Sequence, residues 1–165
     1  MRMGVDLLSV PRFTRVAEHR RYRRLVFTEA ELAQAGEIGA PRHAERLAGR
    51  FCAKEAVCKV LGRGFGQGLR WRDIEVTTDR WGAPTARLAG GAAQRAAEIG
   101  LYDLVITLTH QADLVVAVAA AQTRAHASAP RPAPAPRSAA APHPDPGQHR
   151  GPAPHRGPAQ NRGPA

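Results

Sequence analysis

The sequence predicts an α+β fold in which a mainly antiparallel sheet packs with one long helix. A helical pattern runs from Pro41 to the residues that precede Gly62. Strand patterns occur in two neighbouring pairs, within residues 74–88 and 104–121, and a short connection joins the strands of each pair. Short connections join antiparallel strands, whereas parallel strands need long crossovers. Helices and strands in this order favour the α+β class.

The first elements are a strand and a basic helix. Residues 3–10, MGVDLLSV, form a short apolar run with one carboxylate and predict a strand. Pro11 suits the first turn of a helix, which we expect to continue to residue 25. Basic or titratable side chains recur along this helix at steps of three, four and four residues, which predicts one shared face: Arg12, Arg15, His19 and Arg23.

The remaining elements follow from local signals. Thr28, with Glu31 three residues later, predicts a capping box that starts a second, short helix. The long helix then ends in a run of glycines at positions 62, 64, 66 and 68. Turn residues at 79–82 predict a hairpin, and the alanine-rich stretch 91–100 predicts a helix before the last two strands.

Composition divides the chain into a domain of residues 1–122 and a tail of residues 123–165. The tail holds 11 of the 14 prolines and contains no Leu, Ile, Val, Phe, Trp or Tyr. Such a segment cannot offset its chain entropy by burying apolar surface, so we expect it to be disordered. Its repeated HRGPA and NRGPA segments are interpreted as low complexity rather than as a repeat fold.

Charge and cysteine content narrow the class of protein. The net charge of +10 divides equally, because residues 1–122 carry 18 basic and 13 acidic side chains and the tail carries 6 and 1. A moderately basic domain suits an acidic partner or a phosphate ligand without requiring nucleic acid. No apolar run is long enough to span a bilayer and no signal-peptide core is found, so we expect a cytoplasmic protein. Cys52 and Cys58 would lie about 9 Å apart along a helix, which predicts reduced thiols.

Two carboxylates stand among apolar residues. Glu55 falls within the apolar stripe of the long helix, and Asp6 interrupts the first strand. A buried carboxylate must be paired or bound to a cation. Glu55 has an ordinary alternative, an ion pair with Lys59 one turn later. Asp6 has one as well, as a buried aspartate that caps the following helix.

Together, the two carboxylates suggest a divalent cation beside a phosphate. Mg²⁺ is typically held by one or two protein carboxylates plus phosphate oxygens and water. Lys54 and Lys59, the two lysines among 24 basic residues, would neutralise phosphate charge as compact ammonium groups. The glycine-rich stretch GRGFGQG would let backbone N–H groups approach an anion, although such a cluster also simply ends helices.

His110 ends the strand pattern LVITLTH. A histidine at a strand end is often a solvated turn residue. No serine or cysteine nucleophile is paired with it, so the sequence does not indicate a catalytic triad. A contact with a phosphate fits the surrounding pattern better.

Five segments resemble the holo-[acyl-carrier-protein] synthase type of 4′-phosphopantetheinyl transferase in order and spacing: GVDLLSVPRF, FTEAEL, LAGRFCAKEAVCKVLG, WRDIEV and ITLTH. The resemblance covers residues 3–122 and implies that family's fold. It implies that Asp6 and Glu55 bind Mg²⁺ with the pyrophosphate of coenzyme A. It further implies coenzyme A contacts from a set of phosphate-binding and loop residues: Arg50, Lys59, His110, Gly62, Gly64 and Gly66.

The resemblance also bears on partners. Members of this family form trimers with sites at the subunit interfaces, so a homotrimer is implied. Arg12 falls where family members contact the acidic acyl carrier protein, and Arg15 shares its predicted helix face. Ser9 stands where the family commonly has an acidic residue. The resemblance therefore does not define which groups surround a metal near Asp6. ITLTH replaces the usual ISLSH but keeps both hydroxyls.

The implied reaction is attack by a serine hydroxyl of an apo carrier protein on the β-phosphate of coenzyme A. It transfers 4′-phosphopantetheine, depends on Mg²⁺ and releases adenosine 3′,5′-bisphosphate. Lys59 would stabilise the developing charge, and either Glu55 or a metal-bound water would accept the serine proton. The carrier, of fatty acid or polyketide synthesis, is left open.

Two other functions are compatible with parts of the sequence. A nucleic-acid-binding module would use RRYRR and the tail on phosphate backbones, which explains the charge but leaves Asp6 and Glu55 repelling the ligand. A homologue of the transferase that has lost catalysis would keep the fold alone.

Overall fold

The computed structural model describes residues 1–40 and 42–124. The expected α+β class is confirmed. The elements are β1 Arg2–Ser9, α1 Val10–Ala17, α2 Arg20–Val26, α3 Glu29–Ala35, α4 His43–Leu61, a 3₁₀ turn Trp71–Asp73, β2 Ile74–Thr78, β3 Pro84–Leu88, α5 Gly90–Glu98, β4 Leu101–Gln111 and β5 Leu114–Thr123. The predicted disordered tail lies outside the described residues from position 125 onward.

All strand pairs in the described part are antiparallel, as predicted. β5 lies between β1 and β4 in a three-stranded sheet, and β2 and β3 form a separate hairpin. The buried core lies between the three-stranded sheet and α4, which packs against β1 and β5. None of the helices in the described ranges combines the length and apolar character needed to cross a bilayer.

Small residues let α4 approach the sheet closely. A Cβ atom added at Gly4 of β1 would collide with the carbonyl oxygen of Ala56 on α4. Asp6 lies two residues further along β1, so it faces α4 on the same side of the sheet. The glycine therefore sets how near Asp6 comes to the side chains of α4.

The prediction of a single helix over residues 11–25 is wrong. The chain forms α1 and α2, and His19, the residue before α2, has extended backbone angles (φ −73°, ψ 116°). Ala17 and Val26 are both buried. In one straight helix these positions would point about 180° apart, at 100° per residue, so a break is needed to bury both.

The break also removes the predicted four-residue basic face. Arg23 folds back, and its Nη1 donates hydrogen bonds to the carbonyl oxygens of Ala17 at 2.7 Å and Glu18 at 3.0 Å. It therefore serves as a cap for the end of α1. Arg12 and Arg15 remain exposed on α1.

Other boundaries agree more closely with expectation. The capping box is confirmed, since Thr28 Oγ1 accepts from the Glu31 N–H and the Glu31 carboxylate accepts from the Thr28 N–H. α4 begins at His43 rather than at Pro41, which lies outside the described residues. It ends at Gly62, whose positive φ of 69° favours glycine.

Candidate active site

Asp6 and Lys59 meet where β1 crosses α4. The Lys59 ammonium lies 3.0 Å from Asp6 Oδ1 and also donates to the carbonyl oxygen of Val5. The lysine side chain is 50% exposed and the aspartate 19%. The alternative role of Asp6 as a helix cap is not found, because no side chain caps the start of α1.

Glu55 lies one turn before Lys59 on α4 and is half-buried. Burial raises the pKa of its carboxyl group above the usual range, the charge of Asp6 raises it further, and Lys59 acts in the opposite direction. Within the described part of the chain, Lys59 forms its ion pair with Asp6 and none is found with Glu55. Of the two carboxylates near Lys59, Asp6 thus holds the ammonium group and Glu55 does not.

A cleft of about 270 Å³ opens beside this cluster. Its lining joins the end of α4 to the glycine-rich loop: Glu55, Cys58, Lys59, Gly62, Arg63, Gly64 and Gln67. Gln67 Oε1 accepts a hydrogen bond from the Gly64 N–H at 3.2 Å. Gly66, predicted to line the same site, does not border this cleft, although a side chain there would meet open space.

Lys54 does not belong to this site, and its predicted contact with phosphate is wrong. Its ammonium group is fully buried and lies 2.9 Å from Glu31 Oε1. It also donates to the carbonyl oxygens of Trp71, at 2.9 Å, and Ile74. Burial lowers the pKa of Lys54, and the charge of Glu31 opposes that change. Lys54 joins α4 to the 3₁₀ turn and β2 instead of facing a ligand.

A second pocket, of about 410 Å³, lies at the opposite edge of the sheet. Its lining includes most of the basic side chains at the start of α4 together with His110 of β4: Arg42, Arg46, Gly49, Arg50, Val76, Thr77, Thr78, Gly82, Pro84, Leu108 and His110. β5 separates β4 from β1, so the two strand edges are about 10 Å apart. The predicted phosphate contacts Arg50 and His110 are thus together, but apart from Lys59.

Arg50 is held firmly in this pocket. It is 5% exposed, and burial lowers the pKa of its guanidinium while Glu31 opposes the shift. Nη1 donates to the Arg46 carbonyl at 3.0 Å and Nη2 to Gln34 Oε1 at 3.2 Å. Its buried Nε has no partner. His110 packs against Gly49, where an added Cβ would lie 3.4 Å from its Nε2.

Gln34 of α3 supports this pocket, and the sequence analysis did not predict its role. Its side chain accepts from the Thr78 N–H at 2.9 Å and donates to the Thr78 carbonyl at 3.0 Å. It therefore links the end of β2 to Arg50. One feature of the sequence could have indicated this role: Gln34 follows Glu31 by three residues, which places both side chains on neighbouring parts of one helix face.

The chain is similar to known proteins over most of the part that the structure describes. A sequence model of the 4′-phosphopantetheinyl transferase superfamily matches residues 2–119. This range holds both carboxylates, Lys59 and His110.

The chain belongs to the 4′-phosphopantetheinyl transferase superfamily.

Relatives within the superfamily are similar over most of the described part. A holo-[acyl-carrier-protein] synthase of Desulforudis audaxviator is 42% identical over 123 residues, which is 72% of this chain and 90% of that protein. One from Methylobacterium radiotolerans is 46% identical over 99 residues, 59% of this chain and 71% of the relative. The solved ACPS–CoA complex of Chronobacterium ammoniagenes has a TM-score of 0.63 at 28% identity and covers 74% of this chain and 97% of its own.

Superfamily membership confirms the family that the five sequence segments indicated, and the chain is a phosphopantetheinyl transferase. Across residues 1–40 and 42–124, no group of three or more His, Cys, Asp or Glu side chains is arranged to hold a metal ion. Any cation at Asp6 and Glu55 must therefore take its other ligands from outside these side chains.

Proposed function

We propose that this transferase moves 4′-phosphopantetheine from coenzyme A to a serine of an apo acyl carrier protein, with Mg²⁺, and releases adenosine 3′,5′-bisphosphate. The observation that carries the proposal is that Glu55 and Lys59 line a cleft beside a glycine loop, and that Lys59 also pairs with Asp6. Membership of the superfamily defines the group that is transferred.

Coenzyme A is the proposed donor because both pockets suit an anionic, extended ligand. A related protein has been solved as a complex with CoA. In the proposal, Lys59 and His110 contact phosphates, and Gly62, Gly64 and Gly66 of the loop lie along the substrate. Arg50 completes the phosphate contacts, since a buried guanidinium whose Nε has no partner favours an anion nearby.

The carboxylate pair fits Mg²⁺. Burial and the neighbouring charge of Asp6 raise the pKa of Glu55, so its ionised form is disfavoured unless a cation is present. Two protein carboxylates, with the remaining ligands from phosphate and water, match the way Mg²⁺ is usually held. Asp6 and Glu55 would hold the ion, which would supply charge neutralisation at the pyrophosphate.

The chain's own groups supply orientation and charge. Phosphoryl transfer depends mainly on alignment and electrostatic stabilisation. Lys59 is half exposed, so its ammonium can turn to the phosphate, and in the proposal the Mg²⁺ would then neutralise Asp6. Glu55 lines the cleft and has no ion pair in the described residues. In the proposal, either Glu55 or a metal-bound water takes the serine proton. The nucleophile comes from the carrier protein.

A homotrimer is the proposed assembly. The outer face of the three-stranded sheet is apolar and exposed, with large side chains on β1 and β4: Met3, Val5, Leu7 and Val105. Contiguous exposed apolar surface of this kind typically marks a protein contact. Within one subunit, the Lys59 cleft and the Arg50 pocket lie at opposite edges of the sheet. A composite site between subunits would bring the Lys59 cleft of one subunit near the Arg50 pocket of the next.

An acidic carrier protein of fatty acid biosynthesis is the proposed acceptor, and the cytoplasm is the proposed location. Arg12 and Arg15 are exposed on α1 and would attract an acidic surface. Cys52 and Cys58 are free and buried, as predicted, which agrees with a reducing compartment. Burial raises the pKa of each thiol to about 12.

One assay tests the proposal directly. The full chain is incubated with coenzyme A, Mg²⁺ and an apo fatty acid carrier protein, and the carrier is weighed by mass spectrometry. The expected result is a gain of one phosphopantetheine that needs Mg²⁺ and the carrier serine. A folded protein that modifies neither this carrier nor a polyketide carrier would indicate a homologue without catalysis.

A further inference from the structure

A second basic surface lies beside α2, away from Arg12 and Arg15. An open cleft of about 530 Å³, here called the α2–turn cleft, separates the end of α2 from the 3₁₀ turn. Its lining is Arg24, Leu25, Leu69, Arg70, Trp71, Arg72 and Asp73. The three arginines are exposed, and in residues 1–40 and 42–124 none of them forms an ion pair.

The single carboxylate of this cleft does not neutralise it. Asp73 Oδ2 accepts hydrogen bonds from the backbone N–H groups of Arg70 at 3.0 Å and Gly91 at 3.2 Å. The aspartate is therefore occupied in holding the 3₁₀ turn against α5. Three cationic groups facing one such carboxylate leave the cleft positive.

Trp71, the aromatic side chain of the cleft, is not available to stack on a ligand. Trp71 lies between two rings, with Phe65 at 3.5 Å and Phe51 at 4.8 Å between ring centroids, nearly parallel at 20° and 25°. Both faces of the indole are covered, so no nucleobase can stack on it. Leu25, at 63% exposed, supplies an accessible aliphatic contact at the rim.

The α2–turn cleft lies close to the proposed reaction site. Phe51 stands one turn before Glu55 on α4, and the Trp71 carbonyl accepts from Lys54. On α2, the pKa of Tyr22 is raised by burial and then by the charge of Glu55, so this helix is close to the catalytic carboxylate. α2 contacts both α1 and the 3₁₀ turn.

These features favour one class of occupant. Three free guanidinium groups select an anionic surface. A single-stranded nucleic acid would rely on stacked bases, which the covered Trp71 cannot provide. A membrane needs a broad apolar or basic face, whereas this surface is concave. An acidic protein segment with one aliphatic side chain for Leu25 matches both the charge and the shape.

We propose that the α2–turn cleft is a second docking contact for the acidic carrier protein. The carrier would bridge α2, touching Arg12 and Arg15 on one side and Arg70 and Arg72 on the other. Its serine would then be held over the Glu55 cleft. This inference rests on the proposed function, which supplies the partner.

The test uses the full chain with a charge reversal and a matched control. Arg70→Glu with Arg72→Glu should raise the carrier KM about tenfold or more and flatten its salt dependence, while the coenzyme A KM stays unchanged. Arg87→Glu with Arg124→Glu changes the net charge equally at exposed positions elsewhere. Thermal melting shows that both variants are folded. Equal carrier KM values in the two double variants would overturn the proposal.

Direct binding separates this inference from the proposed function. Labelled apo carrier protein is titrated with wild type and with each double variant, without coenzyme A, so that the comparison does not depend on turnover. About tenfold weaker binding by the Arg70 and Arg72 variant alone supports the cleft even if no transfer occurs. Unchanged carrier binding, with loss of affinity for a single-stranded RNA or for phosphatidylglycerol vesicles, would assign the cleft to another partner and overturn the proposal.

Discussion

Lys54 and Lys59 lie five residues apart on α4, and each faces a carboxylate at nearly the same distance. Lys54 is 2.9 Å from Glu31, and Lys59 is 3.0 Å from Asp6. Both side chains of the first pair are 0% exposed, whereas Lys59 is 50% exposed. The same two chemical groups thus stand in different surroundings, and solvent access is what separates the two pairs. A buried pair cannot exchange partners, while a half-exposed pair can give its ammonium to a ligand.

The buried pair is a junction between elements. The Glu31 carboxylate accepts hydrogen bonds from the N–H groups of Thr28 at 2.7 Å and Val76 at 2.8 Å, besides binding Lys54. Lys54 in turn binds two backbone carbonyls. This network connects α3, α4, β2 and the 3₁₀ turn. Every polar atom is satisfied inside the protein, which makes the pair a structural element.

The largest expected effect is the loss of stability on removing Lys54. Lys54→Ala leaves the Glu31 carboxylate buried without its partner, which should cost about 3–5 kcal/mol of unfolding free energy. Lys59→Ala should cost less than Lys54→Ala, because the Lys59 ammonium is half exposed and water can partly replace it at Asp6. Urea unfolding measures both, and Lys54→Met serves if the alanine variant does not fold. Equal losses at the two positions would show that burial does not distinguish the pairs.

Next comes the effect of the site carboxylates on turnover. Asp6→Ala or Glu55→Ala should lower kcat about 10²- to 10³-fold, since in the proposal each carboxylate helps to hold the Mg²⁺ that neutralises the phosphate. The melting temperature should stay near that of wild type. Glu37→Ala, at an exposed position outside both pockets, is the control. Normal Mg²⁺-dependent turnover by either site variant would exclude that carboxylate from the metal site.

Much of the fold could be predicted because its signals are local. The capping box of Thr28 and Glu31, the glycine end of α4 and the β2–β3 hairpin each depend on neighbouring residues. The break between α1 and α2 could not, because neither glycine nor proline marks residues 18 and 19. It follows from where Ala17 and Val26 must be buried, which is a tertiary requirement. β4 likewise begins earlier than predicted, at Leu101, with an irregular register near Asp103 (φ 51°).

The site was only partly predictable for the same reason. Asp6 and Glu55 were recognisable as carboxylates among apolar residues, and the structure brings both near Lys59, which pairs with Asp6 and follows Glu55 by one turn of α4. Lys54 and Lys59 look alike in sequence, and their difference arises from Glu31, 23 positions before Lys54. The separation of His110 from the Asp6 strand follows from the strand order β1-β5-β4, which no local pattern encodes.

Replacing each lysine by arginine should sharpen the comparison with a smaller effect. At position 54 the larger guanidinium must fit a fully buried space, and overpacking should cost about 1–3 kcal/mol of stability. At position 59 the ion pair should persist with little change in stability. Transfer should slow about tenfold, because in the proposal Lys59 meets the phosphate as a compact point charge, and the larger planar guanidinium would take a different position. Wild-type kcat for Lys59→Arg would show that only the charge matters there.

The smallest expected effect is a gain in stability on replacing Glu55. Its pKa in the folded protein is raised above the ordinary value of 4.5 by burial and by Asp6, so the folded state binds this proton more tightly than the unfolded state. Stability from Glu55 is therefore present below pH 4.5 and is lost as pH rises through the folded pKa. Glu55→Gln removes the charge that causes this loss. Without Mg²⁺ and coenzyme A, the variant should be slightly more stable than wild type at pH 8, and the difference should vanish at pH 4.

Urea unfolding at both pH values measures this difference in stability, with Glu37→Gln as the exposed control. Adding Mg²⁺ and coenzyme A at pH 8 should reverse the order, since ligands that bind the folded wild type stabilise it by mass action. A variant that is less stable than wild type at pH 8 without ligands would show that Glu55, like Glu31, belongs to the structural pairs of α4.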